Sequence, residues 1–164
     1  MKTPNYSWSI MVKPVIYKTV TFEIPCHHRL ISNTLSHDEN LSVFSKCMGQ
    51  YGHGHNYKLK VTFKYAFSQE NPFLSDQLKN QVFEIVVKPC MYQSLNEVFA
   101  KRGIQNPITT GEQIVHVFAE WLEDSPVMAY LDEMELVETR KNSFFHKFQN
   151  HHNLYGKSRP IQNP

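Results

Sequence analysis

The chain carries no appreciable excess of charge of either sign: 17 Lys and Arg stand against 15 Asp and Glu, a formal +2. So small an imbalance gives no reason to expect nucleic acid or a membrane surface as a partner. No run of about 18 apolar residues occurs, so no transmembrane helix is expected. The first residues, Met1 to Trp8, lack the apolar stretch that a secretory signal needs. Cysteine is scarce and odd in number, with only Cys26, Cys47 and Cys90, which argues against a disulfide framework. A reducing cytoplasm is the compartment these features predict. Internal repeats and low-complexity tracts are absent as well. What is present suits one domain: 164 residues, of which 41% are hydrophobic and 13% aromatic, are enough for a core. A single domain is expected over residues 1–150, with a flexible basic tail at 151–164.

The chemistry concentrates between Cys47 and Tyr57, in Cys47-Met-Gly-Gln-Tyr-Gly-His53-Gly-His55-Asn-Tyr57. Residues two apart on a strand point to the same face, so His53 and His55 can aim at one metal ion. Gly54 between them adds no side chain to the other face. Tyr57, Leu59, Val61, Phe63 and Tyr65 then alternate with Lys58, Lys60, Thr62 and Lys64, a strand with one apolar and one solvated face. The histidines share the apolar parity. Catalytic zinc takes three protein ligands and keeps a fourth position open, so a third ligand is needed from elsewhere. A second strand from Val15 to His28 offers one. Ile16, Val20, Phe22, Ile24, Cys26 and His28 share a face, while Pro25 predicts an edge or a strand end. His27 points the other way. With the Cys47 thiol upstream, this is a candidate zinc-and-cysteine site. Cys26 and Cys90 read as small apolar residues.

Further along, residues from about Asp76 to Lys88 place Leu78, Val82, Ile85 and Val86 on one helical face, with Ser75 as N-cap and Pro89 as the stop. Leu95 to Ile108 reads as loop. A second helix starts at Thr110, whose Thr-x-x-Gln spacing to Gln113 predicts a capping box. It carries Ile114, Val117, Phe118, Trp121 and Leu122 on one face. Glu112 in its first turn reads as a helix-dipole residue or as part of a site. Met134 to Thr139 and Phe144 to Phe148 predict a strand hairpin. Glu138 closes the apolar face of the first, as a solvated strand end or a ligand anchor. The order of elements gives an α+β fold, a four-stranded antiparallel sheet with two helices on one face.

These segments resemble the 6-pyruvoyltetrahydropterin synthases and the related 6-carboxytetrahydropterin synthases. The resemblance rests on Phe22 to Leu30, on Cys47-x5-His53-Gly-His55-Asn-Tyr57, on Thr110-x-Glu112-Gln113 and on Val137-Glu138-Thr139, in the family's order across roughly residues 15–140. It implies the tunnelling fold and a homo-oligomer, a hexamer of two trimers. It implies Zn2+ held by His28, His53 and His55, Cys47 as catalytic thiol, and Glu138 and Glu112 as substrate-binding carboxylates. The implied reaction eliminates triphosphate from 7,8-dihydroneopterin triphosphate, in tetrahydrobiopterin biosynthesis. The five-residue gap from Cys47 to His53 is of the pyruvoyl kind. A 6-carboxytetrahydropterin synthase of a queuosine-type pathway is the alternative, as is a pterin- or zinc-binding homologue of altered activity. The last has a motive in Lys88-Pro89-Cys90-Met91-Tyr92, where relatives carry an Asp-His pair at the positions of Met91 and Tyr92. Leu74 likewise stands where relatives have Asp. Tyr92, His146, His151 and His152 are the candidates to replace the missing acid-base group.

Overall fold

The structure, a computed structural model, describes residues 13–67 and 73–149. The expected tail at 151–164, with His151 and His152, lies outside them. Two 14-residue strands, β1 (Val15–His28) and β2 (His53–Ala66), pair antiparallel from Val15↔Ala66 to His28↔His53. β3 (Leu131–Val137) pairs with β2, and β4 (Ser143–Lys147) with β3, giving the order β1-β2-β3-β4. β1 is an edge strand, as Pro25 demanded. β3 stops one residue before Glu138, so that carboxylate belongs to the hairpin turn, where its N–H reaches the Asn142 carbonyl at 3.1 Å.

Even residues of β1 and odd residues of β2 form the inner face. Ile24, Leu59, Val61 and Phe63 are fully buried there, beneath Leu78, Phe99, Ile114 and Leu122 from the helices. The outer face holds Lys60, Lys147 and their partners Glu135 and Glu133, so alternating polarity explains which side the helices cover. The two expected helices are α2 (Leu74–Val82) and α5 (Gly111–Glu123). Between them come α3 (Lys88–Cys90) and α4 (Leu95–Lys101), and α1 (His37–Phe44) precedes β2. No helix among the described residues is long and apolar enough to cross a membrane.

Four local expectations are corrected. The α2 cap is Phe73, not Ser75, because the N–H groups of Asp76 and Gln77 both turn back to the Phe73 carbonyl. Pro89 does not stop the helix. A wide π turn over Phe83–Val87 precedes it, and helical structure continues to Cys90. Proline takes away the bond to the carbonyl four residues back; here that is Ile85, whose oxygen accepts from the Arg102 guanidinium at 3.0 Å. Leu95 to Ile108 is not all loop, because Leu95, Val98 and Phe99 bury one face of α4. Thr110 caps α5 through its backbone alone, with no side-chain bond, so the capping box expected there is not formed. The box occurs instead at Ser36 and Glu39, opening α1.

α5 packs on β4 through a close approach. A Cβ built on Gly111 would overlap the Phe144 ring. Gly111→Ala should therefore cost about 1–3 kcal/mol, as overpacking does, seen as a lower midpoint in chemical denaturation. An unchanged midpoint would mean that Phe144 is free to swing aside and that this contact does not set the α5–β4 spacing.

Candidate metal centre

The end of the β1–β2 ladder brings three imidazoles together. His28 and His53 are cross-strand partners, and His55 lies two residues along on the same face. Their ring centroids are 4.6, 5.0 and 4.7 Å apart in pairs, and their ligand nitrogens all lie within 4.8 Å of one another. Gly52 makes the approach to β2 possible. Its φ is +66°, and a Cβ there would run into the His28 carbonyl.

Each ring is set for ligation by its surroundings. His28 is 1% exposed, and its Nδ1 lies 2.7 Å from the Thr109 carbonyl. A carbonyl only accepts, so Nδ1 carries the hydrogen and Nε2 presents a lone pair. That Nε2 lies 3.2 Å from Nε2 of His53, close to the ~3.3 Å that separates donors around a tetrahedral zinc with bonds near 2.05 Å. Burial pushes the His28 imidazole down to about 4, and burial also lowers His53. Both are neutral near pH 7, the form that binds metal. The third ring gives the sharpest observation. Nε2 of His55 is buried and has no hydrogen-bond partner, and an orphaned buried nitrogen is costly unless something accepts its lone pair or proton. A metal at the three nitrogens removes that cost, so the donor set fits zinc.

Glu138 stands beside the triad. Its Oε1 is 3.8 Å from Nε2 of His55, and both side chains are 16% exposed. Tyr57, 1% exposed, donates its hydroxyl to the same oxygen at 3.3 Å. Burial, with Glu138 next to it, holds the Tyr57 phenol well above its ordinary value, so it stays a neutral donor.

The remaining expected residues are placed unevenly. Cys47 lies in a half-buried 3-10 turn, Ser45–Met48, whose carbonyl at Cys47 accepts from Leu30 N–H at 3.0 Å. The turn is thus fastened to the chain just after His28, but the thiol is not one of the three clustered donors. Glu112 is exposed on α5, three residues from the Thr109 carbonyl that orients His28. Cys26 and Cys90 are buried, with thiols pushed up to about 12 by that burial, so they are the packing residues expected.

Met91 packs against the core, while Tyr92 is 76% exposed at φ +60°. Tyr92 edges a cavity of about 420 Å³ together with Pro25, His27, Gly54, His55 and Asn56. His146 stacks on His116 of α5, ring centroids 6.4 Å apart, and not on the triad. Tyr57 and Thr109 were missed as site residues. Tyr57 reads as one more apolar strand position, and a backbone carbonyl such as that of Thr109 leaves no side-chain signature.

Comparison with known proteins finds relatives along most of the chain. A model of the family described as 6-pyruvoyl tetrahydropterin synthase matches residues 17–149. The chain is 30% identical to a 6-pyruvoyl tetrahydrobiopterin synthase of Drosophila melanogaster, over 79% of this chain and 78% of that one. It is 29% identical to the Homo sapiens protein of that name, over 73% and 83%. Among solved structures, the Caenorhabditis elegans 6-pyruvoyl tetrahydropterin synthase superposes with a TM-score of 0.71 at 27% identity, over 84% of this chain and 99% of that one.

Two results are expected. Metal analysis after dialysis against zinc should find it equimolar with the native chain and largely lost from His55→Ala; retention by the variant would remove His55 as a ligand. The folded value of His28 lies below its ordinary 6.5, so the unfolded chain binds the proton first. The stability of the metal-free protein is then complete above 6.5 and declines as pH falls toward about 4. His28→Gln should flatten that decline in a series of denaturation curves, and an undiminished slope would assign it to other groups.

Proposed function

The chain belongs to the 6-pyruvoyl tetrahydropterin synthase family, and from that premise we propose that it is a zinc-dependent lyase eliminating triphosphate from 7,8-dihydroneopterin triphosphate. The observation that carries this reading is the convergence of three imidazoles, one with a buried unpartnered nitrogen, beside a carboxylate. His28, His53 and His55 would hold the metal. Bound there, zinc supplies a Lewis acid for the side-chain hydroxyls and acidifies the adjoining C–H.

The chain's own groups do the rest in this proposal. Glu138 accepts from the amino-pyrimidine edge of the pterin and fixes its orientation. Glu112 adds a second carboxylate from the first turn of α5. The Cys47 side chain is the base that takes the carbon-bound proton. The half-burial of Cys47 leaves it accessible for that task. β1 and β4 are the two ends of the sheet, and edge strands offer unpaired backbone groups to a neighbouring copy. That supports a homo-oligomer, by family analogy a hexamer of two trimers.

A second reading has its own observation. Met91 points into the core and Tyr92 out to solvent, where relatives carry an Asp-His pair. Met91 carries no titratable group, and losing a general acid-base group typically slows a reaction about 10²- to 10⁴-fold. A homologue with a different product, 6-carboxytetrahydropterin among them, or with slow turnover, fits that departure.

Product analysis by mass spectrometry separates these readings. Zinc-loaded protein incubated with 7,8-dihydroneopterin triphosphate, without reductant, should release triphosphate and a 6-pyruvoyl pterin. Cys47→Ala should reduce the rate about 10²-fold or more. A carboxy or shortened pterin would shift the assignment to the altered-product homologue. No turnover despite pterin binding would sink the lyase reading.

A further inference from the structure

Glu138 occupies a position that does not by itself fix a carboxylate. It lies one residue past β3, in a turn held by backbone bonds from Glu138 and Thr139 to the Asn142 carbonyl, at 3.1 and 3.3 Å. Recognition of an amino-pyrimidine needs the opposite of freedom. Two parallel N–H donors must meet two oxygens in one plane, and a carboxylate rotating about its last torsion meets them only part of the time. Something has to hold that plane.

The Tyr57 hydroxyl is placed to do so. It lies 3.4 Å from both ring nitrogens of His28. Being equidistant from the two, it sits across the imidazole and not along either lone pair. Nδ1 is in any case engaged by the Thr109 carbonyl. The acceptor for the phenolic hydrogen is Oε1 of Glu138, at 3.3 Å. Tyr57 itself cannot drift. It is 1% exposed, it is paired with Ile24 across the ladder, and its ring lies 5.0 Å from that of His55. A carboxylate offers about four lone-pair sites on its two oxygens, so one bond to Oε1 orients the group and leaves acceptor capacity on both oxygens.

We propose that Tyr57 is a positioning residue of the substrate site, holding the Glu138 carboxylate in the plane that reads the amino-bearing edge of a pterin. The inference rests on the pterin reading given above and deepens it. Tyr57 has no chemical step in this proposal. It acts through Glu138, and the His53-Gly-His55-Asn-Tyr57 run thereby supplies metal ligands and the carboxylate's clamp from one face of one strand.

The test is calorimetric binding of two ligands to metal-loaded protein. One is 7,8-dihydroneopterin; the other is the matching lumazine, with oxygen in place of the 2-amino group. Native protein, Tyr57→Phe, Glu138→Gln and the double variant are compared, with metal content as a control. Native protein should prefer the pterin. Tyr57→Phe should keep its metal and lose about tenfold in pterin affinity, the usual effect of deleting a hydrogen bond to a charged group, and lose much less for the lumazine. The double variant should equal Glu138→Gln, because Tyr57 then has nothing to position. Should the Phe variant fail to fold, Tyr57→Met keeps the bulk without the hydroxyl and takes its place.

If native protein shows no preference, the pterin reading of Glu138 falls and the role of Tyr57 with it. If Glu138→Gln loses the preference and Tyr57→Phe keeps it in full, the role of Tyr57 alone falls. Equal weakening of both ligands, loss of metal, or additive effects in the double variant would make Tyr57 a merely structural residue and overturn the proposal.

Discussion

The register between β1 and β2 is the constraint on which the site depends. Fourteen-residue strands meet without a break from Val15↔Ala66 to His28↔His53, and side chains alternate between the faces at every step. A slip of one residue would turn His53, His55 and Tyr57 to the polar face and Lys58 and Lys60 into the core. Leu59, Val61 and Phe63, all fully buried, forbid that slip. The apolar pattern that folds the sheet thus also delivers three imidazoles to one spot. Stability and ligation are set by the same periodicity.

Burial then decides what the imidazoles are. In water, three histidines within 5 Å of one another would share protons and repel when charged. Here desolvation favours the neutral form at His28 and His53, and the Thr109 carbonyl selects the tautomer of His28. The cost of this arrangement appears at His55, whose Nε2 is buried without a hydrogen-bond partner. Cores seldom tolerate such a group. A cation resolves the orphan and the mutual approach of the nitrogens at once, whereas a water molecule would satisfy only some of them. Glu138 beside the triad offsets part of the positive charge such an ion brings.

Much of this was legible in the residues, for definable reasons. β1 and β2 are long, alternate strictly and are half-buried, so period-2 reading finds them and places the histidines. α5 shows because five large apolar residues fall on one face. Reading failed where a role depends on something other than periodicity. α4 is short, and Leu95, Val98 and Phe99 make only one turn's worth of pattern. The α1 capping box was spelled out by Ser36 and Glu39, but α1 has only Asn40 buried and offers little apolar periodicity to draw attention to it. Thr110 has the right spacing for a box, yet a hydroxyl bonds only if its rotamer meets the open N–H. The end of β3 mattered most. Alternation places Glu138 on the strand, and only the turn geometry shows it just beyond, within hydrogen-bond reach of the Tyr57 hydroxyl.

The Met91–Tyr92 departure is best understood through backbone, since this segment has a task that its side chains do not share. The Tyr92 N–H bonds to the Pro25 carbonyl, the His27 N–H bonds to the Gln93 carbonyl at 3.1 Å, and Ser94 forms a parallel bridge with His27. Residues 92–94 therefore cover the edge of β1 next to His28. Asn96 continues the attachment by bonding both the N–H and the carbonyl of Arg29, at 2.8 and 2.9 Å. None of these bonds uses the side chain of residue 91 or 92. Tyr92 at φ +60° adopts a conformation that bulky residues avoid, and the bonds on either side hold it there. The attachment of this segment to β1 beside the histidine cluster rests on backbone bonds and on Asn96, so it does not depend on an Asp-His pair at those two positions.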